Sequence, residues 1–188
     1  RKLSSMKSKF RPLGSVLIKP AGPDCNLNCT YCFYLRKSEL FGKEPVHRMS
    51  GEIQEELIRQ VMQQGASAVS FAWQGGEPTL MGLGFYEKAI ELEKKFGRNQ
   101  TVGNGLQTNG LLLDTAWAQF LRKYDWLVGL SLDGPSFIHD RYRLDKGMKP
   151  THRKVEEVAK MLLDNHVAVI ALAVLTVFSV PYADERYN

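Results

Sequence analysis

The stretch Ala68-Val69-Ser70-Phe71-Ala72-Trp73-Gln74-Gly75-Gly76-Glu77-Pro78-Thr79 decides how this chain folds. Its first half, Ala68 to Trp73, is a short apolar run bounded by a turn signal, which reads as a buried strand. Its second half is a turn in which Gly75 and Gly76, lacking a Cβ, let backbone come close to another group. Behind it lies a helical pattern from about Phe85 to Phe96, halted by Gly97. One strand–loop–helix unit is therefore complete within residues 68–97.

The same unit recurs on both sides. Upstream, Val16-Leu17-Ile18-Lys19-Pro20 is a short strand ended by proline, and residues 21–34 form a loop. Ser50 is placed to cap a helix reaching Gly65, with Ile53, Leu57, Ile58, Val61 and Met62 on one face. Downstream, Thr101 to Gln107 is a third strand weakened by its glycines, followed by the turn Thr108-Asn109-Gly110. Asp114 caps a helix that spaces Trp117, Phe120, Leu121 and Tyr124 as one face. Trp126 to Leu132 is a fourth strand, ended by Asp133-Gly134-Pro135. His152 to Asn165 is a helix with Val155, Val158 and Leu162 inward, and Val167 to Thr176 is a fifth strand. About five such units argue an α/β fold with a parallel sheet and right-handed crossovers. In such folds sites are built at the C-terminal ends of strands. The cysteine loop, Gln-Gly-Gly-Glu-Pro, Gln-Thr-Asn-Gly and Ser-Leu-Asp-Gly-Pro all follow strands, so they are expected to converge on one rim.

The first of these loops carries all three cysteines of the chain, in the run Cys25-Asn26-Leu27-Asn28-Cys29-Thr30-Tyr31-Cys32. Three thiolates at C-x3-C-x2-C spacing can hold three irons of a cubane iron–sulfur cluster. The fourth iron then has no protein ligand and is a Lewis-acid position where a small molecule can chelate. A zinc knuckle is an alternative, but a structural zinc needs a fourth ligand. The histidines His47, His139, His152 and His166 are remote in sequence, although a fold can still deliver one. Buried structural thiols are a third reading, against which stands the clustering itself. Phe33 and Tyr34, next to Tyr31, supply shielding or a stacking surface.

Composition sets the background. The chain has 188 residues, 44% hydrophobic and 24% charged, as in an ordinary globular domain with one core. No apolar run approaches the roughly 18 residues that span a bilayer. The longest, Val167 to Val177, is interrupted by Thr176. The N-terminal stretch is basic (Arg1, Lys2, Lys7, Lys9, Arg11) but has no apolar h-region, so it is no signal peptide. The cytoplasm is the expected compartment, and there cysteines serve metals or catalysis more than disulfides. The net charge of +5 is scattered, with no basic stripe interleaved with aromatics. Neither nucleic acid nor a membrane is an expected partner.

A C-x3-C-x2-C run with an aromatic before its last cysteine, placed after a first strand, resembles the mark of the radical S-adenosylmethionine superfamily. The wider run Cys-Asn-Leu-Asn-Cys-Thr-Tyr-Cys-Phe-Tyr, with Gln-Gly-Gly-Glu-Pro-Thr-Leu and Ser-Leu-Asp-Gly-Pro…His-Asp…Arg, resembles one branch, the anaerobic sulfatase-maturating enzymes. The likeness extends over roughly residues 15–176, and other peptide-modifying branches share parts of it. It implies a partial (β/α)6 barrel with about five units present. It further implies one 4Fe-4S cluster on Cys25, Cys29 and Cys32, with S-adenosylmethionine chelating the open iron through its amino and carboxylate groups. Reductive cleavage of the sulfonium would give methionine and a 5'-deoxyadenosyl radical, which abstracts hydrogen from a sulfatase cysteine or serine on the way to formylglycine. The protein's part is to bind, orient and shield. The implied partners are a sulfatase or peptide substrate and an electron donor such as flavodoxin or ferredoxin. The competing functions are another radical peptide-modifying enzyme and a non-catalytic cluster- or zinc-binding fragment.

The resemblance also assigns roles to single residues. Gly75, Gly76 and Glu77 would meet the methionine amino group; otherwise Glu77 is a solvated turn carboxylate. Arg143 would bind the carboxylate bidentately, whereas beside Arg141 and Lys146 alone it reads as part of a solvated face. Ser131 would bond the ribose or carboxylate, and Tyr31 would meet adenine chiefly through its backbone. Tyr34 and Gln74 would lie near the sulfonium or substrate. By their own chemistry Asn109 and Gln107 can accept or donate at the ribose, although Thr-Asn-Gly is also ordinary turn chemistry. Asp133 reads as a turn cap, and His139 receives no role.

The expected organisation is a basic lead-in over 1–14, the core over 15–177, and a tail over 178–188 that leaves the pattern at Phe178-Ser179-Val180-Pro181-Tyr182. A first residue other than methionine and an end without an obvious terminal element suggest a fragment. A sixth strand, a cysteine-rich domain with two auxiliary clusters and the aspartate that takes a substrate proton are expected to lie outside this chain.

Overall fold

The computed structural model describes residues 11–34, 46–64 and 66–184. Five strands form one sheet: β1 (Ser15–Ile18), β2 (Ala68–Trp73), β3 (Thr101–Thr108), β4 (Leu127–Ser131) and β5 (Ala168–Leu172). They hydrogen-bond in the order β1-β2-β3-β4-β5, and every pair is parallel. Among the described residues five α-helices join them: α1 (Gly51–Gln63), α2 (Leu83–Phe96), α3 (Thr115–Lys123), α4 (Ser136–Tyr142) and α5 (His152–Asp164). Strand order equal to chain order, with right-handed crossovers, lays the helices on one face. The sheet then curls as a barrel does, unlike a doubly wound sheet with helices on both faces. β1 and β5 do not pair, so the barrel is partial.

Alternation along the strands separates the two faces. Val69, Phe71 and Trp73 of β2, Leu106 of β3, and Val128 and Leu130 of β4 are buried under the helices against Ile58, Met62, Leu121 and Leu162. Trp73 stacks on Trp126 at 6.5 Å and meets Tyr86 edge-on at 5.6 Å. Truncating one such buried aromatic to alanine costs roughly 3–5 kcal/mol. The other face is open. Leu17, Ala72, Gly105, Gln107, Leu127 and Ile170 help line a cavity of about 260 Å³, where the small residues leave room. The burial of β2 read from the sequence is thus one-sided, because Ala68 and Ser70 are exposed.

Both expected caps are present. Ser50 Oγ accepts from Ile53 N at 3.3 Å, and Asp114 Oδ1 accepts from Trp117 N at 3.0 Å. Three elements depart from expectation. Ile53 is 57% exposed and Gln54 takes the inward place, because its Nε2 donates to Phe85 O at 2.8 Å and ties α1 to α2. β5 stops at Leu172, where its partner β4 ends at Ser131, and the Asp133 carboxylate then captures Val174 N at 2.9 Å. α4 is an additional helix, seven residues long and started by Pro135, too short for a periodic signal.

The lead-in over residues 1–10, the α1 end at Gly65 and the last residues 185–188 lie outside the described residues. Beyond β5 the chain packs on α4. The Arg141 guanidinium lies 4.1 Å from the Phe178 ring centre, and Phe137 meets Tyr182 at 5.2 Å. No described helix is long and apolar enough to cross a membrane.

Candidate functional site

The cysteine loop follows β1, and the glycine turn after β2 is pressed against its base. Gly76 N donates to Gly22 O at 2.8 Å and Glu77 N to Asp24 O at 2.7 Å. A Cβ on Gly76 would stand 2.0 Å from Asp24 O, and Gly75 holds a φ of 136°, so each position requires glycine. The close approach expected of these glycines is made here to the backbone of the cysteine loop.

Glu77 is fully buried and is no solvated turn carboxylate. Its Oε1 accepts from Thr79 N (3.0 Å), Thr79 Oγ1 (2.6 Å) and Thr108 Oγ1 (2.7 Å), and its Oε2 from Asn109 N (2.8 Å). Burial pushes its pKa up against the pull of those hydrogen bonds. The side chain thereby staples the turn after β2 to the turn after β3. Asn109 passes the connection on. Its Nδ2 donates to Asn26 Oδ1 at 2.7 Å and approaches Cys25 Sγ at 3.7 Å, while its Oδ1 accepts from Leu111 N at 3.0 Å.

The fourth loop centres on Asp133, which is buried. Asp133 Oδ2 accepts from Tyr31 Oη (2.5 Å) and Arg143 Nε (3.0 Å). Its Oδ1 accepts from Arg143 Nη2 (3.3 Å) and Val174 N (2.9 Å). The residue read as a turn cap therefore joins the cysteine loop, the end of α4 and the segment after β5. Arg143 is buried and is not part of a solvated face. Its guanidinium also lies 5.4 Å from the Tyr31 ring centre. Burial works against the Arg143 charge, and Asp133 with Tyr31 outweighs it, so its pKa moves up. Asp133 engages two of the guanidinium's five N–H groups, and the Nη1/Nη2 edge is a second fork for a carboxylate.

All three cysteines are free thiols and partly buried. Burial pushes the Cys29 thiol up to about 11, with Arg143 pulling the other way and the neighbouring thiolates adding to the rise. Burial also raises Cys25, against the Leu27 N–H that lies 3.4 Å from its sulfur. Thiolates crowded in this setting need a cationic partner, which a metal or a cluster supplies. Among the described residues, no three His, Cys, Asp or Glu side chains converge as on one metal ion. His47 pairs with Asp24 at 2.9 Å, His139 with Thr151 at 3.1 Å, and His152 Nε2 with Gly134 O at 3.0 Å.

Ser131 Oγ accepts from Gln107 Nε2 at 3.1 Å on the open face of the sheet. Gly129 makes room for that amide, since a Cβ there would lie 2.3 Å from Gln107 Oε1. Gln74 lines the same cavity. For Tyr34, Lys19 Nζ lies 5.2 Å from its ring centre and Phe33 meets it edge-on at 4.9 Å. The residues brought together are thus Gly76, Glu77, Asn109 and Cys25 in one chain, Tyr31, Asp133 and Arg143 in another, and Ser131 with Gln107 in a third. Sequence reasoning undervalued Asp133 and missed His139 and Thr151. The signal for the first two is their place in the Asp-Gly-Pro…His-Asp…Arg motif, and Thr151 carried none.

The family model of the radical SAM superfamily matches residues 20–184. The chain is 43% identical over 174 residues to the serine-type anaerobic sulfatase-maturating enzyme of Bacteroides thetaiotaomicron, covering 92% of this chain and 42% of that protein. It is 42% identical over 175 residues to the cysteine-type enzyme of Clostridium perfringens, covering 93% of this chain and 47% of that protein. A solved structure of native anSMEcpe with bound AdoMet and Cp18Cys peptide aligns with a TM-score of 0.85 at 42% identity, over 94% of this chain and 47% of that one. The chain spans less than half the length of these two relatives. A family match over most of the chain, a parallel sheet wound in chain order and a three-cysteine loop at its rim lead to one assignment: the chain belongs to the radical S-adenosylmethionine superfamily.

Proposed function

We propose that this chain is the core of a radical S-adenosylmethionine enzyme that oxidises a sulfatase cysteine or serine to formylglycine. The observation that carries the reading is the joining of the cysteine loop to two separate anchors, Asn109 on Cys25 and Asp133–Arg143 on Tyr31. Relatives named as sulfatase-maturating enzymes, one of them solved with AdoMet and a peptide, support the substrate class. The serine-type and cysteine-type relatives are almost equally similar, at 43% and 42%, so the reading takes in both residues.

Cys25, Cys29 and Cys32 are the residues to hold a 4Fe-4S cluster. The cluster and S-adenosylmethionine, when bound, supply a 5'-deoxyadenosyl radical for hydrogen abstraction. The chain's residues position and shield. Arg143 offers its remaining guanidinium edge to the methionine carboxylate. The Gly75-Gly76-Glu77 backbone offers carbonyl acceptors to the ammonium group, while the Glu77 carboxylate fixes that backbone from behind. Ser131, Asn109 and Tyr31 serve the nucleoside, and Gln74 and Tyr34 the substrate side. Leu17, Ile170 and Leu172 give the open face an apolar lining. An electron donor of the flavodoxin or ferredoxin type and a cytoplasmic location complete the reading.

The test is anaerobic reconstitution with iron and sulfide, then electron paramagnetic resonance of the reduced protein with and without S-adenosylmethionine. A cubane signal that shifts with the cofactor is expected. A signal indifferent to the cofactor, or no cluster, defeats the proposal. Mass change of a sulfatase-derived cysteine or serine peptide, incubated with the full-length protein, then tests the substrate.

A further inference from the structure

We infer that His139 is a positioning residue whose Nε2-protonated imidazole fixes the backbone on both sides of the Asp133–Arg143 pair. The inference rests on the reading of Arg143 as the carboxylate-binding residue. His139 follows the Asp-Gly-Pro turn on α4 and has no exposed surface. Asp133 N donates to its Nδ1 at 3.4 Å, and a main-chain N–H can only donate, so Nδ1 carries the lone pair. The proton is therefore on Nε2, which faces Thr151 Oγ1 at 3.1 Å. The Thr151 hydroxyl spends its own proton on Arg143 O at 2.7 Å, leaving a lone pair for the imidazole.

Each donor in this relay has one direction: Asp133 N–H to His139, His139 to Thr151, Thr151 to the Arg143 carbonyl. Both ends are residues whose side chains pair with each other. His139 thus holds the main chain of the carboxylate and that of the guanidinium from behind. The ionisable groups facing the ring are Arg143, Asp133, Asp140 and His152, the last with its ring centre 5.4 Å away. Burial first, then Arg143, lowers the imidazole pKa to about 4, with Asp133 and Asp140 opposing. A protonated ring would turn a second N–H against Asp133 N–H, so the neutral form is the one the relay can use. Thr151 is held in register by Asp140, whose Oδ1 accepts from Thr151 N at 2.9 Å.

Two measurements decide the matter. Nitrogen-15 NMR of the chain without cofactors reads the tautomer directly. His139 is expected to be neutral and Nε2-protonated throughout about pH 5 to 8; an Nδ1-protonated or titrating ring overturns the inference. The second is S-adenosylmethionine affinity of the cluster-reconstituted chain, by equilibrium dialysis, for His139→Phe and Thr151→Val. Each is expected to bind about fivefold or more weakly than the parent, the worth of one hydrogen bond, at unchanged iron content. If His139→Phe does not fold, Thr151→Val cuts the same relay and decides alone. A parent that binds while the folded variants match it within about twofold overturns the His139 role only. A parent that binds no S-adenosylmethionine overturns the functional reading of Arg143, and the His139 role with it.

Discussion

Asn109 Nδ2 stands 3.7 Å from Cys25 Sγ, while the backbone N–H of the same residue is gripped by Glu77 Oε2 at 2.8 Å. The side chain expected at a ribose is therefore aimed at a sulfur, and its aim is set by a carboxylate from another loop. Asn109 also bonds Asn26 inside the cysteine run, so the amide cannot swing away without breaking a second contact.

A hydrogen bond to a cluster thiolate draws off charge and favours the reduced state. Asn109→Ala is expected to make the midpoint potential of the reconstituted chain more negative. One hydrogen bond of ~1 kcal/mol corresponds to about 40 mV for one electron. A redox titration followed by electron paramagnetic resonance measures it. A potential unmoved by the substitution would show that the amide–sulfur contact carries no weight.

Glu77 tests the staple. Each of its oxygens accepts a main-chain N–H, from Thr79 on one side and Asn109 on the other. In Glu77→Gln the amide group must face one of these donors. The expected cost is about 2–3 kcal/mol, from a buried donor left without an acceptor. Urea unfolding of the two proteins gives the difference, and equal midpoints would refute the staple.

Asp133 and Arg143 are a buried ion pair, and removing one partner strands the other's charge. Asp133→Leu alone is expected to destabilise by about 3–5 kcal/mol. The double variant with Arg143→Met removes both charges and is expected to recover part of that loss. Thermal unfolding of the four proteins of this cycle reads the coupling. Strict additivity would mean that the pair does not act as a unit.

What the sequence made legible was local. Ser50 and Asp114 cap helices through bonds spanning three residues, and the cysteines declare themselves by spacing. The strands follow from apolar runs and their parallel pairing from the repeated strand–loop–helix unit, whereas their order in the sheet was not read from the sequence. The hidden part depends on distant partners. Glu77 looked like an exposed turn acid because Thr108 and Asn109 lie 31 and 32 positions away. Gln54 displaced Ile53 from the core through a carbonyl on another helix. Asp133 and Arg143 are ten positions apart with a helix too short to show periodicity between them, so nothing in the pattern announced that their charges would meet.

Glu93 offers a test of buried electrostatics away from the site. Glu93 is 6% exposed, and both of its carboxylate oxygens lie 3.1 Å from Asn104 Nδ2, while Asn104 Oδ1 accepts from Trp73 Nε1 at 2.9 Å. Burial first pushes the Glu93 pKa from 4.5 to about 7, against the Asn104 hydrogen bond and Lys94. The folded protein then holds a proton that the unfolded chain has released. The resulting stability is present in full below about pH 4.5 and is lost as pH rises to about 7, by an amount on the order of 3 kcal/mol. His139 acts with the opposite sign. Its folded pKa is lowered from 6.5 to about 4, so its contribution is lost as pH falls through that range. Comparing Glu93→Gln with the parent cancels the histidine, because both proteins contain it. The glutamine oxygen still accepts from Asn104 and never ionises. The variant is expected to match the parent near pH 4.5 and to exceed it by a few kcal/mol at pH 8, measured by urea unfolding across that interval. A gap that stayed constant with pH would show that Glu93 titrates like an exposed acid.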